Sequence, residues 1–389
     1  MERMSWALVW LSLTFNLVVA ISVCDGQFPA MFVMGDSLVD NGNNNGLSSL
    51  AKSNYPPYGI DFQGGPTGRF TNGKTIIDLL GDLLGLPLLP AFTVTFTGQQ
   101  DIWVGVNYAS AAGGILDESG LNLVISNLIS SKVDSLFSPF KRKEIMTMQG
   151  DRFSLRQQVE NFKSTLNQLR NQMEQDTLNQ YLAKSLVVIN IGSNDYINNY
   201  LMPSIYSSSS TYTPEAFAEH LINDYDAQIM ALYNLGLRKF LLAAIGPLGC
   251  IPNQLAKGFA QPGKCVSAVN DMVEIFNRRL KNLVDQLNHG NYTEAIFVYG
   301  NTYGAFNDIL GNPATYGFKV VDKGCCGVGR NKGQITCLPF SIPCTNRDEY
   351  VFWDAYHPTQ AFNKIIAQKA YSGPQSACYP INVKQMAQL

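Results

Sequence analysis

The feature of this sequence that most restricts its fold is a series of short, continuously apolar runs, each ending in a turn. The clearest run covers residues 185–191 and leads into Gly192-Ser193-Asn194-Asp195. Runs without polar alternation are typical of strands that are covered on both faces, as in parallel sheets. The sequence therefore predicts five buried strands, at residues 30–34, 102–106, 185–191, 239–244 and 295–299.

Longer stretches between these runs repeat apolar residues at helical spacing. One starts at Thr213-Pro214-Glu215, where a hydroxyl cap, a proline in the first turn and an acidic side chain favour a helix start. The predicted helices cover residues 75–84, 153–182, 213–235 and 266–289. This alternation predicts an α/β fold of three layers, α/β/α, with a doubly wound parallel sheet. We find no internal repeat and no linker, so residues 27–389 are predicted to form a single domain.

The first 26 residues are typical of a secretory signal peptide. An almost unbroken apolar run extends from Trp6 to Val23, and small residues around Ala20, Ser22 and Gly26 offer cleavage positions. An uncleaved signal anchor is the alternative, because the preceding residues are only weakly positive. We favour cleavage, since a spanning helix requires about 20 apolar residues with basic flanks. The sequence predicts a secreted, extracellular protein without a membrane span after cleavage.

The cysteines agree with an oxidising compartment. Cys24 would leave with the signal peptide, and we expect the others to form local disulfides on loops, with one thiol unpaired or paired between chains. Zinc is the alternative, but the sequence has only three histidines and no Cys-x-x-Cys pair, so we predict no metal and no cofactor. The sequon Asn291-Tyr292-Thr293 is a predicted glycan acceptor. The remaining cysteines are Cys250, Cys265, Cys325, Cys326, Cys337, Cys344 and Cys378.

The charge balance excludes a nucleic-acid-binding design. The chain has 28 basic and 30 acidic residues, a net charge of −2, whereas nucleic-acid binding requires a basic patch that displaces counterions. Hydrophobic residues make up 46% of the chain, which also excludes intrinsic disorder.

Polar residues follow three of the predicted strands. Ser37 follows the first, the loop containing Gly113 and Gly114 follows the second, and Asn194 follows the third. In doubly wound sheets, ligands bind outside the carboxyl ends of the strands. We therefore expect these residues to face one site.

Of the three histidines, His357 is the candidate base. A serine hydroxyl becomes a good nucleophile only when a neighbouring base takes its proton, and histidine suits this role. Asp354 stands three residues before His357, so one turn can carry both, and the carboxylate can orient the imidazole. His220 lies in an amphipathic helical pattern and His289 at a helix end, where surface or core roles are more common.

Four blocks of sequence place these residues in a family. They are residues 32–44, which contain Gly35-Asp36-Ser37-Leu38, and residues 105–114, 191–195 and 354–358. The Gly-x-Ser-x-Gly elbow of α/β-hydrolases is missing. Together with segments 68–74 and 246–250, the blocks resemble plant-type GDSL esterases/lipases of the SGNH hydrolase superfamily. The resemblance covers nearly all of the predicted mature chain.

The resemblance implies a flavodoxin-like fold and cleavage of carboxylic esters, with a small-molecule or lipid ester as substrate. It implies that Ser37 is the nucleophile, His357 the general base and Asp354 its orienting acid, with an acyl-enzyme intermediate. It also implies an oxyanion hole built from the N–H groups of Ser37 and Gly113 and the side-chain amide of Asn194.

Two other functions stay open at this point. An acyltransferase would use the same acyl-enzyme with an alcohol in place of water, and nothing in the sequence decides between these nucleophiles. A binding protein would keep the fold without catalysis, but the intact set of Ser37, Asn194, Asp354 and His357 argues against it. Asp36 is interpreted as structural, because residues adjacent along the chain usually point their side chains apart.

Overall fold

The computed structural model describes residues 28–95, 101–121 and 150–389. The predicted signal peptide, residues 1–26, lies outside the described residues. The described chain forms a five-stranded sheet with an apolar core and helices on each face. The predicted three-layer α/β/α fold is therefore confirmed. In these three ranges, no helix is both long enough and apolar enough to cross a bilayer.

The strands are short; the first four lie close to four of the five predicted runs, and the last three were not predicted. They are β1 (Met31–Gly35), β2 (Leu186–Asn190), β3 (Lys239–Ala243), β4 (Ile296–Gly300), β5 (Val320–Gly324), β6 (Tyr350–Phe352) and β7 (Cys378–Tyr379). The main sheet has the order β1-β2-β3-β4-β7, and only β7 is antiparallel to its neighbour. Strands β5 and β6 form a separate parallel pair.

The four parallel strands end along one edge of the main sheet. Met31 pairs with Leu186, Leu186 with Lys239, and Lys239 with Ile296, so the strands start level with one another. Each strand has five residues. The segments that follow them therefore meet along the same edge, where a site in such a sheet is expected.

Helices connect the strands and cover both faces. Among the described residues, the helices of nine residues or more are α1 (Ile76–Leu84), α2 (Leu155–Arg170), α3 (Gln175–Lys184), α4 (Pro214–Asn234), α5 (Ser267–His289), α6 (Thr302–Gly311) and α7 (Gln360–Ser372). Shorter helical turns cover Phe92–Thr95, Ser193–Asp195, Ser208–Thr211, Pro252–Ala256 and Val383–Met386. The predicted helix over residues 153–182 is divided into α2 and α3. A straight helix of that length would extend about 45 Å, well beyond strands of five residues.

The predicted strand at residues 102–106 is wrong. Ile102–Val104 is a turn of 3₁₀ helix, and the chain then makes one parallel bridge with β1, in which the Val33 carbonyl accepts from the Tyr108 N–H at 2.8 Å. Gly105 has a φ of 105°, and a Cβ there would lie 1.9 Å from the Met31 carbonyl oxygen. The backbone thus passes too close to β1 to continue as a regular strand. The bridge lies on the outer side of β1, so the topology reverses between β1 and β2, the switch point of a doubly wound sheet.

Alternate strand residues point into two separate cores. Phe32, Ile189 and Phe240 face one core, which also receives side chains from α2, α4 and α5. Val33 and Val188 face the other core, which receives side chains from α1, α6 and α7. Burial on both faces explains why these strands are apolar apart from Asn190 at the end of β2 and Lys239 at the start of β3.

Three disulfides link cysteines that are near in sequence, as predicted. They are Cys250–Cys265, Cys325–Cys344 and Cys326–Cys337. The last two close one loop, residues 325–344, which we call the disulfide loop. Among the described residues, Cys378 is the unpaired cysteine, and it is buried.

Gln158 on α2 fastens the end of β1. Its Oε1 accepts from the Gly35 N–H at 2.8 Å, and its Nε2 donates to the carbonyls of Gly35 and Phe153, each at 2.9 Å. The side chain is fully buried. Gln158 was not predicted as a positioning residue, although it is a polar side chain within the apolar stripe formed by Leu155, Val159 and Phe162.

Replacement of Gln158 tests this contact. Gln158→Ala leaves the buried Gly35 N–H without its partner, so we expect the free energy of unfolding to fall by about 1–3 kcal/mol. Gln157→Ala, at the exposed neighbouring position, should change it by less than about 0.5 kcal/mol. Urea denaturation of both variants measures the difference. Equal stability of the two variants would contradict a role for Gln158 in holding β1.

Candidate active site

Ser37 and His357 meet above the carboxyl edge of the sheet. The Ser37 Oγ lies 2.8 Å from the His357 Nε2, although the two residues are 320 positions apart. The His357 Nδ1 lies 2.8 Å from each carboxylate oxygen of Asp354. The structure therefore brings together the three residues that the sequence predicts as nucleophile, base and orienting acid.

A tight turn after β1 holds Ser37. The Val39 N–H donates to the Asp36 carbonyl at 3.2 Å. A Cβ at Gly35 would lie 2.3 Å from the Val39 Cγ2 and 2.8 Å from the Asn190 carbonyl oxygen. Because only glycine fits there, the turn closes against the end of β2 and the position of Ser37 is fixed.

The carboxylate of Asp354 is fully buried and well supplied with donors. The Tyr58 hydroxyl donates to it at 2.6 Å, the N–H groups of Tyr356 and His357 donate at 2.8 Å, and the Thr336 hydroxyl lies 3.3 Å away. Burial alone would raise the pKa of Asp354, but the imidazole of His357 and the hydrogen bonds lower it below its usual value. The group is therefore ionised at neutral pH and accepts a hydrogen bond from the His357 Nδ1–H.

Tyr58 and Thr336 are not predicted from the sequence. Tyr58 is 296 positions from Asp354, and no local pattern marks either residue. Thr336 belongs to the disulfide loop, whose Cys326 N–H donates to the Trp353 carbonyl at 2.7 Å. The disulfide loop thus packs against the backbone immediately before Asp354.

Asn194 lies just beyond β2 and lines the same cavity as Ser37. Its Nδ2 donates to the Gly113 carbonyl at 2.9 Å, and its Oδ1 accepts from the Asn198 Nδ2 at 2.6 Å. These two bonds define which end of the amide is the nitrogen. Among the described residues, the second N–H of that nitrogen has no acceptor, so Asn194 has a donor left for a ligand.

The N–H of Gly113, the predicted oxyanion donor, already has a hydrogen-bond partner. The Gly113 N–H donates to the Ser110 carbonyl at 3.0 Å, so its role in an oxyanion hole stays a prediction. The preceding residue, Ala112, lines the cavity and has a left-handed φ of 66°. Within the described residues, the backbone N–H groups of Ala112 and Ser37 have no hydrogen-bond partner. Ala112 was missed by sequence reasoning, because left-handed backbone is uncommon for alanine.

Two buried aspartates flank the site. Asp195 accepts from the N–H groups of Ile115 and Leu116 at 2.8 and 3.0 Å, and so ties their loop to the end of β2. One oxygen of Asp36 accepts from the Leu38 N–H at 3.0 Å, and the other has no partner among the described residues. Burial raises the pKa of Asp36 to about 7 and that of Asp195 to about 6.

The other residues singled out in the sequence lie elsewhere. His220 stacks on Tyr212 with ring centroids 5.4 Å apart, and the His289 Nδ1 lies 2.6 Å from the Asp285 carbonyl oxygen. The structure does not bring either histidine to Ser37. Asn291, the predicted glycan acceptor, is exposed in the connection between α5 and β4.

A cavity of about 250 Å³ opens beside Ser37. Its lining is mainly apolar, with polar groups concentrated around Ser37, Asn194 and His357. This combination suits a ligand that is largely apolar and carries one reactive polar group. Among the described residues, no three or more His, Cys, Asp or Glu side chains are grouped so as to hold a metal ion.

The chain is similar to known proteins of one family. Residues 31–370 match the model of the GDSL-like lipase/acylhydrolase family. A GDSL esterase/lipase of Arabidopsis thaliana is 58% identical over 366 residues, which cover 93% of this chain and 88% of the relative. A second is 53% identical over 363 residues, covering 93% and 90%. A third is 47% identical over 387 residues, covering 99% and 98%. The matched ranges include the segments that carry Ser37, Asn194, Asp354 and His357.

The raised pKa of Asp36 predicts a pH-dependent stability. The Asp36 carboxyl has its usual pKa of 3.8 in the unfolded chain and a pKa of about 7 in the folded protein. The folded protein therefore binds the carboxyl proton more tightly. The contribution of the protonated Asp36 carboxyl to the free energy of unfolding is complete below about pH 4 and is lost as the pH rises towards 7. Between pH 5 and pH 8, wild-type protein should lose on the order of 2 kcal/mol more of its free energy of unfolding than Asp36→Asn loses.

Denaturant titrations at the two pH values measure this difference. Burial also raises the pKa values of Asp40 and Asp195. Because both residues are present in wild type and in Asp36→Asn, the difference between the two proteins isolates the effect of Asp36 on stability. Asp176→Asn, on the exposed start of α3, is the matched control and should retain the wild-type dependence. Parallel pH profiles for wild type and Asp36→Asn would contradict the prediction.

Proposed function

The chain belongs to the GDSL-like lipase/acylhydrolase family and is a carboxylic-ester hydrolase, and we propose that it cleaves lipid or acyl esters through an acyl-enzyme on Ser37. One observation carries this proposal. The Ser37 Oγ, the His357 imidazole and the Asp354 carboxylate form a continuous hydrogen-bonded series with 2.8 Å at each contact. This is the arrangement that converts a weak hydroxyl nucleophile into a reactive one.

The proposed reaction has two halves. The Ser37 Oγ attacks the ester carbonyl carbon while the His357 Nε2 takes the hydroxyl proton, and a tetrahedral intermediate forms. The imidazolium then gives this proton to the alcohol oxygen as the ester bond breaks, which leaves the acyl group on Ser37. Water then attacks the acyl-enzyme while the His357 Nε2 takes one of its protons, and the imidazolium returns this proton to the Ser37 Oγ as the carboxylic acid leaves. Asp354 stays ionised and stabilises the imidazolium in both halves.

Backbone and side-chain donors would stabilise the negative oxygen of the intermediate. The Ser37 N–H and the Asn194 amide lie at the ends of the adjacent strands β1 and β2. Within the proposal, Ala112 is the best-placed third donor, because its N–H is without a partner in the described part of the chain and the residue lines the cavity. The predicted donor Gly113 would first have to release the Ser110 carbonyl. Fixed donors of this kind lower the barrier because they need no reorganisation during the reaction.

We also propose that the enzyme works outside the cytosol. The apolar segment at residues 1–26 is read as a cleaved signal peptide, and residues 27–389 as one catalytic domain. Three disulfides support this proposal, because disulfides persist in oxidising compartments. The exposed position of Asn291 supports glycan attachment at its sequon.

Replacement of the nucleophile and the base tests the proposed mechanism. Ser37→Ala should fold normally and lose at least about 10³-fold in kcat on p-nitrophenyl esters. His357→Ala should lose a similar factor, and the double variant little more, because the two groups act as a unit. Ser193→Ala, at another serine that lines the cavity, is the matched control. A Ser37→Ala variant that keeps substantial activity would exclude Ser37 as the nucleophile.

Replacement of Asn194 separates an oxyanion donor from a residue that merely caps a turn. If its amide binds the oxyanion, Asn194→Ala should lower kcat by about 10²–10³-fold with little change in KM, because that hydrogen bond forms fully only in the transition state. A fluorophosphonate probe should still label Ser37, but more slowly. Near-normal kcat with a large fall in the melting temperature would instead indicate a turn cap.

A further inference from the structure

The cavity beside Ser37 continues along the carboxyl edge of the sheet. Asn194 follows β2, Gly246 follows β3 and Thr302 follows β4, and all of them line the same cavity as Ser37. Neighbouring strands are about 4.8 Å apart, so the three intervals from β1 to β4 make a trench of roughly 14 Å. A group of that length can therefore extend sideways from the reactive serine, over the ends of the strands.

The part of the trench beyond β2 is apolar. We call it the apolar arm, and it is bounded by Ala244, Gly246, Ile251, Thr302 and Phe306. Among the described residues that line the cavity, the charged or titratable side chains other than tyrosine are Asp36, Lys52 and His357, and none of them is one of the residues that bound the apolar arm. A charged group in the apolar arm would lose its water without gaining a partner, whereas an alkyl chain would gain from burial.

Gly246 keeps the apolar arm open. A Cβ at this position would lie 3.3 and 3.4 Å from two ring carbons of Phe306, so any larger side chain would project into the gap. Phe306 has little room to move away, because the centroid of its ring lies 4.1 Å from that of Phe362 and 6.0 Å from that of Phe352. On the other side, Asn277 on α5 holds both the N–H and the carbonyl of the residue that precedes Gly246.

The proposed mechanism determines which way round an ester substrate lies in the cavity. His357 must reach the leaving alcohol oxygen, and the carbonyl oxygen must reach Asn194. Tyr58 and Phe70 pack beside the Asp354–His357 pair, so the alcohol lies on that side. The remaining substituent of the carbonyl carbon is the acyl chain, which is left to enter the trench towards β3 and β4.

We propose that the apolar arm is the acyl-chain subsite of this enzyme, that its substrates are esters of unbranched acyl chains of medium or greater length, and that Gly246 determines how long a chain is accepted. The proposal rests on the proposed function, since it requires an acyl-enzyme on Ser37. It goes further by assigning chain selection to one position that takes no part in the chemistry.

A series of p-nitrophenyl esters tests the proposal. Each buried methylene is worth about fourfold in binding, so wild-type kcat/KM should rise at least about tenfold from acetate to octanoate. Gly246→Val should lower kcat/KM for octanoate at least about tenfold and change that for acetate by less than about threefold. Gly246 lacks a left-handed φ and precedes a proline, so the backbone should accept valine. Gly246→Ala should give an intermediate loss.

Three controls make the result specific. Gly311→Val makes the same substitution at an exposed helical glycine with open space around it, and should keep the wild-type profile. Melting temperatures of all variants show whether each protein is folded. Alkyl acetates from methyl to octyl vary the alcohol instead of the acyl chain, and Gly246→Val should not change their relative rates.

The possible failures are distinguishable. A wild-type enzyme with no activity on any ester would overturn the proposed function and the subsite with it. An active wild type with no chain-length preference, or a folded Gly246→Val that loses acetate and octanoate equally, would overturn the subsite alone. A selective loss on octyl acetate would place the alcohol in the apolar arm and overturn the assignment to the acyl chain.

Discussion

The buried carboxylate of Asp354 is the constraint on which the site depends. An ionised group without solvent requires donors on every side, and those donors come from segments far apart in the chain: Tyr58, Thr336 and the turn that contains His357. Satisfying this one charge therefore draws the early loops, the disulfide loop and the C-terminal turn together. The main sheet supplies Ser37 and Asn194, and the contacts around Asp354 help to hold the imidazole above them.

The parts of the fold that were predictable are those fixed by local rules. A strand buried on both faces has to be apolar throughout, so β1, β2, β3 and β4 could be located within about one residue. The site could be anticipated for a related reason, because strand ends in such a sheet converge, which indicates Ser37 and Asn194. Asp354 and His357 are three positions apart, and one turn suffices to join them.

The features that escaped prediction depend on contacts between distant segments. Apolar composition alone favours a strand at residues 102–106, but the close approach of Gly105 to β1 makes that backbone irregular. One hydrogen bond joins Tyr58 to Asp354, which are 296 positions apart. Another joins Gln158 to Gly35, which are 123 positions apart. The left-handed conformation of Ala112 is likewise imposed by its surroundings, because alanine has no intrinsic preference for it.

The separation of Ser37 from His357 by 320 residues has a consequence for biosynthesis. A ribosome adds roughly 5–20 residues per second, so His357 follows Ser37 by tens of seconds. During that interval the nascent chain contains the serine and its strand but lacks the imidazole that the proposed mechanism requires. Under that mechanism, ester cleavage begins only after nearly the whole polypeptide has been made.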